Sequence, residues 1–312
     1  MSENIYDVII VGGGPAGLSA GLYAGRGLLK TLIIERAQYG GQAAMTNEID
    51  NYPGAVVDET GPSLIEKMLE QAKRFNVEFV SDDIISAELE GDIKTLNSKK
   101  NTYSAKAVII ASGAHPRLLR CKGEEEFTGK GVSYCATCDA AFFEDLEIYI
   151  VGGGDSAVQE ALFIARFARK ITFIQNLAEL TAAKSLQKKV LTDEMFNFVY
   201  NSVVLELKGD DGLLDTIIVR NEKTNEITEF KADPEDGTFG LFVFIGLIPK
   251  TEVFEGKVNM ENGYILTDEN MRTNIPGVYA AGDCRVKPLR QVVTAAADGA
   301  IAAMYAERFL TE

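Results

Sequence analysis

The hydrophobic pattern near the N-terminus predicts a strand, a helix and a second strand in succession. Residues 6–11 form a short β-branched run, residues 15–26 carry small residues at helical spacing, and residues 31–35 form a second apolar run. This order is typical of a βαβ unit. The same pattern recurs later in the chain, at residues 147–151, 155–168 and 171–174. The sequence therefore predicts an α/β protein in which one fold is duplicated.

The C-terminal pattern indicates how the two copies are connected. Residues 275–283 predict a strand that ends in an acid, and residues 290–309 predict a long helix. A lone strand and helix need a sheet to join, so we expect them to complete the first domain. The expected architecture is two Rossmann-like, three-layer (ββα/αβα) nucleotide-binding domains. The second domain, residues 115–243, is inserted in the first, residues 1–114 and 244–312.

The turn after the first predicted strand carries glycines at the spacing of a dinucleotide site. Gly12 permits the tight turn, Gly14 lets a pyrophosphate approach the backbone, and Gly17 allows close helix packing. Glu35 lies 21 residues beyond Gly14, where a carboxylate can accept a hydrogen bond from a ribose hydroxyl. A glycine triplet alone could be a structural turn. Strand, turn, helix, strand and acid in this order favour dinucleotide binding.

Length and charge narrow the possible functions. The chain has 312 residues, enough for two domains, and a net charge of -15, which argues against nucleic-acid binding. Its longest apolar run near the C-terminus, residues 241–248, is far shorter than the roughly 20 residues that span a bilayer. Residues 1–7 lack the basic region of a signal peptide. We therefore expect a cytoplasmic protein that binds neither nucleic acid nor membrane.

Cys135 and Cys138 form a Cys-x-x-Cys pair just ahead of the second glycine-rich turn. Such a pair can close a small disulfide and can lower the pKa of one thiol. A zinc site would need two more ligands, but His115 is the only histidine and the other cysteines are isolated, so we expect redox chemistry and no metal. Asp139 adjoins the pair and could supply a proton if burial raises its pKa. It could equally cap a helix.

Taken together, these motifs resemble the low-molecular-weight thioredoxin reductases over nearly the whole chain. The resemblance implies FAD as cofactor, thioredoxin as substrate and a homodimer. It also implies that Cys135 and Cys138 are the redox disulfide, with Cys138 nearer the flavin, and that Asp139 is the general acid. The positions that it assigns to FAD binding are Gly12, Gly14, Pro15, Ala16, Gly17, Glu35, Arg36, Gly41, Gln42, Asn51, Ala111, Gly113, Asp283, Arg290, Gln291 and Val292.

The chain departs from the family pattern after the second strand of the inserted domain. Members that use NADPH carry His-Arg-Arg-x-x-x-Arg there, and the guanidinium groups hold the 2′-phosphate. The aligned positions here are Gln175, Asn176, Leu177 and Thr181. Losing several charge-assisted hydrogen bonds, each worth about 1.5 to 3 kcal/mol, argues against NADPH. The second turn, with Gly152, Gly154 and Ala157, is then either inherited packing or a site for another nucleotide.

Without NADPH, another donor must reduce the flavin. The resemblance then narrows to the ferredoxin-dependent flavin thioredoxin reductases, which share this scaffold and lack the NADPH residues, so we expect reduced ferredoxin as the donor. Ferredoxins are usually acidic, and docking one requires local positive charge. The candidates are Arg166, Arg169, Lys170, Lys184, Lys188 and Lys189. The same cations could instead complement helix dipoles or form a solvated face.

Other interpretations remain open on the same scaffold. A flavin dithiol oxidase, which passes electrons to oxygen, also lacks the NADPH arginines. An NADH-dependent reductase serving thioredoxin or a peroxidase needs no 2′-phosphate site, although the acid usual at that strand end is absent. A binding module that keeps FAD as a structural element is disfavoured because both Cys135 and Cys138 are present.

Overall fold

The computed structural model describes residues 5–46, 49, 51–210 and 212–312. Our prediction that residues 1–7 are not a signal peptide falls partly outside the described residues, because residues 1–4 are not among them. The chain forms two compact units, one of Met1–His115 with Ile248–Glu312 and the other of Pro116–Leu247. The second unit runs past residue 243 because the amide of Phe244 donates to the carbonyl of Val151 at 2.8 Å.

The elements follow one another in the order of the duplicated pattern. Before the first crossing between units come β1 Ile5–Val11, α1 Pro15–Arg26, β2 Thr31–Glu35, α2 Gly61–Lys73, β3 Glu78–Ser81, β4 Ile84–Glu88, β5 Lys94–Ser98 and β6 Thr102–Ile110. The crossing and the second unit contain β7 Ala114–Pro116, α3 Glu124–Phe127, β8 Val132–Ser133, α4 Ala136–Asp139, β9 Glu147–Val151, α5 Asp155–Ile164, β10 Lys170–Ile174, α6 Lys184–Leu191, β11 Phe196–Val199, β12 Ser202–Lys208, β13 Thr216–Asn221, β14 Ile227–Lys231 and β15 Gly240–Val243. The return contains β16 Leu247–Pro249, β17 Met260–Glu261, β18 Tyr264–Ile265, β19 Val278–Ala280 and α7 Val292–Thr311.

A mostly parallel sheet is the centre of the first unit. Its strand order is β3-β2-β1-β6-β5-β4, and β19 also pairs with β6. Strand β1 runs parallel to both neighbours, with Ile9 opposite Leu32 and Val108. Successive side chains of a strand point to opposite faces, so Ile10 packs with the cluster of α1 and α7, and Ile9 packs with a cluster that contains Ile265. The C-terminal segment thus completes the first sheet, as expected.

Helices α1 and α7 pack closely because small residues line their contact. A Cβ placed on Gly299 would lie 2.0 Å from the carbonyl oxygen of Ala16. The hydroxyl of Ser19 donates to the carbonyl of Ala296 at 2.7 Å. This contact holds the start of α1, and therefore the glycine-rich turn before it, against the C-terminal helix.

The second unit has the same plan with a different outer layer. Its parallel sheet has the order β11-β10-β9-β15-β8, and a separate antiparallel sheet has the order β12-β13-β14. Along β9, Ile148 and Ile150 pack with the cluster of α5, whereas Tyr149 and Val151 pack with the cluster that contains Ile217 of β13. A helical layer, a parallel sheet and an antiparallel sheet therefore stack on one another. The predicted fold class of two three-layer, Rossmann-like units is confirmed.

Some predicted boundaries are wrong. The predicted strand at 275–283 is limited to Val278–Ala280, because the chain turns into a short 3₁₀ helix at Gly282–Cys284. Helix α5 ends at Ile164 rather than at residue 168, and the amides of Phe167 and Ala168 both donate to the carbonyl of Ile164 in a closing turn. No helix in the described part of the chain is both long and apolar enough to cross a bilayer.

Candidate functional site

The glycine-rich turn after β1 is packed tightly except at one position. Gly12 has a φ of +113°, and a Cβ there would lie 2.3 Å from the carbonyl oxygen of Ala111. A Cβ on Gly17 would lie 1.8 Å from the oxygen of Gly12. A Cβ on Gly14, by contrast, would meet only the oxygen of Gly40, at 3.9 Å. Open space therefore remains at the N-terminus of α1, which begins at Pro15, and the backbone amides there attract anions.

Glu35 lies at the end of β2 beside this turn. Its Oε2 accepts the amide of Gly13 at 2.7 Å, and its Oε1 accepts the amide of Ala37 at 3.0 Å. These two bonds fix the carboxylate and leave further lone pairs for a ribose hydroxyl. The neighbouring Arg36 is exposed.

A second segment, residues 40–46, approaches the turn, where the amide of Gly40 donates to the carbonyl of Gly13 at 2.8 Å. Gly41 starts a 3₁₀ helix, Gly41–Met45, and a Cβ on it would lie 3.7 Å from Cα of Gly14. Gln42 donates from Nε2 to the carbonyl of Ala114. Asn51 donates from Nδ2 to Oε1 of Gln291 at 3.2 Å, just before α7 begins at Val292. Gly41 therefore lies beside the turn, and the predicted residues Asn51 and Gln291 contact each other.

Five buried side-chain atoms in the described residues lack a hydrogen-bond partner, and all five belong to the first unit. They are Tyr39 Oη, Ser112 Oγ, His115 Nδ1, Asp283 Oδ1 and Arg290 Nε. Buried polar groups without partners are costly and are rare in folded proteins. Their concentration in the first unit indicates that this unit binds a polar ligand.

Three of these five atoms, those of Tyr39, Ser112 and His115, are connected to the turn by neighbouring residues. The ring of Tyr39 contacts the backbone at Gly13, and Ser112 follows Ala111, whose carbonyl packs on Gly12. His115 follows Ala114, the acceptor for Gln42. Sequence reasoning missed Ser112, between the predicted residues Ala111 and Gly113. An isolated serine gives no pattern by which it could have been found.

Asp283 is the half-buried acid of this site, and burial raises the pKa of its carboxyl, while Lys287 and Arg290 act to lower it. The preceding Gly282 donates its amide to Oδ2 of Asp298 at 3.0 Å. That same oxygen accepts Nζ of Lys287 at 2.7 Å. Asp298 and Lys287 were not predicted, although an acid within the alanine-rich run of α7 is the signal that could have found Asp298.

The second unit holds the Cys135–Cys138 disulfide, whose Cα atoms are 5.3 Å apart. Both cysteines are half-buried, and α4 begins directly after Cys135. Asp139 ends this helix, and burial raises the pKa of its carboxyl, while a hydrogen bond from Ser133 acts to lower it. The side chain of Asp139 caps neither α4 nor the short helix after it, so the capping interpretation is wrong. Ser133 is a neighbour that sequence reasoning missed.

The two other cysteines lie outside this arrangement. Burial raises the pKa of the Cys121 thiol to about 11, and it raises the pKa of the fully buried Cys284 thiol to about 11 as well. Thiols of this kind are scarcely ionised at neutral pH and react slowly. Neither property favours a redox role for Cys121 or Cys284.

The second glycine-rich turn is closed by the segment that follows β10. The carbonyl of Gly153 accepts the amides of Thr181 and Ala182 at 2.8 and 3.0 Å. Gln175 is buried against Gly153, whereas Asn176 and Leu177 are exposed. The positions aligned with the NADPH arginines therefore lie beside the turn but carry no cation.

The cations proposed for docking differ in the side-chain contacts that they make. Arg169 pairs with Asp236, the guanidinium of Arg166 lies 4.2 Å from the centroid of the Phe163 ring, and Nζ of Lys184 lies 3.6 Å from Oε2 of Glu179. The remaining three are exposed: Lys170, Lys188 and Lys189.

Residues 6–299 match the family described as pyridine nucleotide-disulphide oxidoreductase. A thioredoxin reductase of Peptoclostridium acidaminophilum is 56% identical over 309 residues, which cover 99% of this chain and 98% of that protein. The crystal structure of a thioredoxin reductase from Streptococcus pyogenes is 42% identical, covers 99% of both chains and superimposes with a TM-score of 0.92. A ferredoxin-flavin thioredoxin reductase from Clostridium acetobutylicum is 28% identical, covers 98% of both chains and gives a TM-score of 0.52. The chain therefore belongs to the pyridine nucleotide-disulphide oxidoreductases and, within them, to the thioredoxin reductases, which are FAD-dependent flavoproteins.

Proposed function

We propose that this protein reduces the disulfide of a thioredoxin through Cys135 and Cys138, and that its electrons come from reduced ferredoxin rather than NADPH. The observation that carries the first part is the half-buried disulfide beside Asp139, whose pKa burial raises. The names of the related proteins from Peptoclostridium acidaminophilum and Streptococcus pyogenes support thioredoxin as the substrate.

The residues of the first unit fit FAD. The open space at Gly14 and the start of α1 would take the pyrophosphate, and Glu35 would hold the adenosine ribose. The unpartnered atoms of Asp283 and Arg290 would bond the polar groups of the flavin half. When bound, FAD accepts electrons singly or in pairs and thereby connects one-electron donors to two-electron thiol chemistry.

Within the second unit, the disulfide takes up two electrons and two protons to become a dithiol. Asp139 is placed to deliver one of those protons, because a buried carboxyl with a raised pKa holds its proton closer to neutral pH. One thiolate of the dithiol then attacks a thioredoxin sulfur and displaces the other. The second thiol of the pair breaks the resulting mixed disulfide, which restores Cys135–Cys138 and leaves two thiols on thioredoxin.

Replacement of one cysteine tests this relay. Cys138→Ser should keep FAD and lose thioredoxin reduction, because no resolving thiol remains. Cys121→Ser is the matched control and should behave as wild type, since that thiol lies outside the proposed chemistry. Normal thioredoxin reduction by the Cys138→Ser protein would disprove the relay.

The proposal for the donor rests on the second glycine-rich turn. Gln175, Asn176 and Thr181 stand where NADPH-dependent members carry cations, and neutral side chains cannot form the charge-assisted bonds that a 2′-phosphate needs. A ferredoxin-flavin thioredoxin reductase of Clostridium acetobutylicum has the same scaffold, whereas the relatives of higher identity carry only the name thioredoxin reductase. The exposed Lys170, Lys188 and Lys189 would supply positive charge for docking an acidic protein.

Anaerobic spectroscopy of the FAD-loaded protein tests the donor. NADPH, NADH and enzymatically reduced ferredoxin are added in separate cuvettes, and the visible absorbance of the flavin is followed. We expect bleaching by ferredoxin alone and recovery when oxidised thioredoxin is added. Rapid bleaching by NADPH would show that the missing cations are dispensable. If none of the three bleaches the flavin, oxygen consumption with small dithiols identifies a dithiol oxidase.

We further propose that the protein works in the cytoplasm as a homodimer. In the first unit, the large apolar side chains of Met45, Val57 and Leu289 are exposed. The segments that carry them are joined by the Asn51–Gln291 hydrogen bond. Light scattering of the purified protein measures the mass directly and would contradict this proposal if it gave a monomer.

A further inference from the structure

Ser133 lies between the proposed proton donor and the backbone of the redox disulfide. It ends strand β8 and is only 4% exposed. Its hydroxyl donates to Oδ2 of Asp139 at 2.5 Å and accepts the amide of Cys135 at 3.1 Å. The carbonyl oxygen of Cys135 lies 3.3 Å from the same hydroxyl. One buried oxygen therefore contacts the acid and both backbone groups of the first cysteine.

A serine hydroxyl has one hydrogen to donate, so Ser133 cannot donate to Asp139 and to the Cys135 carbonyl together. When Asp139 is ionised, its carboxylate is the stronger acceptor and takes the hydrogen. When Asp139 is protonated, the carboxyl can itself donate to the hydroxyl oxygen. The serine hydrogen is then free to turn toward the carbonyl of Cys135.

We infer that Ser133 is a positioning residue that couples the protonation state of Asp139 to the backbone of Cys135. This inference rests on the proposed role of Asp139 as proton donor to the disulfide. Each change of charge on Asp139 redirects one hydroxyl hydrogen between two acceptors that the serine already contacts. The hydroxyl also favours the ionised carboxylate, and it thereby limits how far burial raises the pKa of Asp139.

Removing the hydroxyl should leave the effect of burial unopposed. A hydrogen bond to a charged group is strong enough to move a pKa by roughly one to two units. In Ser133→Ala the pKa of Asp139 should therefore rise by about that amount. Any step that needs protonated Asp139 should then persist to a higher pH than in the wild-type protein.

The test is the pH dependence with which dithiothreitol reduces the disulfide of the FAD-loaded enzyme under anaerobic conditions. A dithiothreitol thiolate attacks one sulfur, the S–S bond breaks, and the departing sulfur takes up a proton. A second thiol of the reagent then closes its ring and releases the other cysteine. Dividing each rate by the concentration of dithiothreitol thiolate at that pH removes the ionisation of the reagent and leaves the inflections of the protein. Samples are quenched with acid, the thiols are alkylated, and mass spectrometry counts the alkylated cysteines. This gives the rate of disulfide reduction without ferredoxin or a pyridine nucleotide.

We expect Ser133→Ala to shift the inflection assigned to Asp139 upward by about one pH unit or more. The matched control is Ser202→Ala, which removes another buried hydroxyl, one that donates only to the carbonyl of Tyr200, and it should follow the wild-type profile. Ser133→Thr keeps a hydroxyl and should restore the profile, whereas Ser133→Val has nearly the same shape and should not. This second pair keeps the test decisive if the alanine variant is unstable.

Asp139→Asn separates failure of this inference from failure of the proposed function. If Asp139→Asn abolishes the inflection but Ser133→Ala leaves it at the wild-type pH, the coupling through Ser133 is overturned and the role of Asp139 stands. If Asp139→Asn keeps the wild-type inflection, Asp139 is not the proton donor, and both ideas are overturned together.

Discussion

Lys287 Nζ lies 2.7 Å from Asp298 Oδ2, and both side chains are almost completely buried. The same oxygen of Asp298 accepts the amide of Gly282, the residue before the half-buried acid Asp283. This ion pair therefore fixes the turn that carries Asp283, which we propose to contact the flavin. Arg285 is a more distant partner, with its NH1 3.7 Å from the shared oxygen.

Lys287→Met should destabilise the protein and weaken its retention of FAD. Removing one partner of a buried ion pair leaves the other charge uncompensated, which typically costs about 3 to 5 kcal/mol. Arg285 and the amide of Gly282 still face Asp298, so we expect the lower end of that range. Denaturant unfolding of the apoprotein measures the loss. The control is Lys106→Met, which breaks an exposed pair with Asp7 and should cost less than about 1 kcal/mol. Equal losses in both variants would contradict this account.

Two glycine substitutions should have different effects, one on folding of the turn and the other on FAD binding. Gly17→Ala places a Cβ 1.8 Å from a backbone oxygen of Gly12 and should prevent correct folding of the turn. Gly14→Ala meets nothing closer than 3.9 Å, and its φ of -77° suits alanine, so the protein should fold. The added methyl would fill the space proposed for the pyrophosphate. Circular dichroism and the flavin content of the purified proteins distinguish these outcomes, and full flavin content in Gly14→Ala would place the pyrophosphate elsewhere.

Local patterns predicted the βαβ units well because their signals lie within a few residues. The predicted bounds 15–26, 31–35 and 147–151 agree with α1, β2 and β9. The missed residues depend on tertiary packing instead. Ser133 and Lys287 gain their roles only when the folded chain brings them to Asp139 and Asp298, and nothing in their flanking sequence indicates those partners.

Grafting cations onto the second turn should create NADPH dependence. Asn176, Leu177 and Thr181 are exposed, so arginine at each position can be accommodated without disturbing the core. Each guanidinium that reaches the 2′-phosphate should strengthen binding by roughly tenfold or more. The measurement is the NADPH concentration that half-bleaches the flavin in the triple arginine variant. NADH serves as the control because it has no 2′-phosphate. An equal gain for both nucleotides would mean that the new charges act nonspecifically.

Asp139→Asn should raise stability at neutral and alkaline pH while it impairs reduction of the disulfide. Burial raises the folded-state pKa of Asp139 above its unfolded value, so the folded state binds the proton more tightly. Stability attributable to this group is then full below the unfolded pKa and is lost as pH rises through the folded pKa. Asparagine avoids that loss. Unfolding free energies should therefore differ between variant and wild type at high pH and converge at low pH, and the opposite trend would refute the raised pKa.

We propose that electrons pass from ferredoxin through the Cys135–Cys138 pair to thioredoxin. The most direct measurement is the number of thioredoxin thiols formed for each reduced ferredoxin oxidised, under anaerobic conditions without pyridine nucleotide. Because reduction of one disulfide takes two electrons and yields two thiols, we predict one thiol for each electron that ferredoxin gives up, and none with Cys138→Ser. Thiol formation that requires NADPH and ignores ferredoxin would contradict the claim.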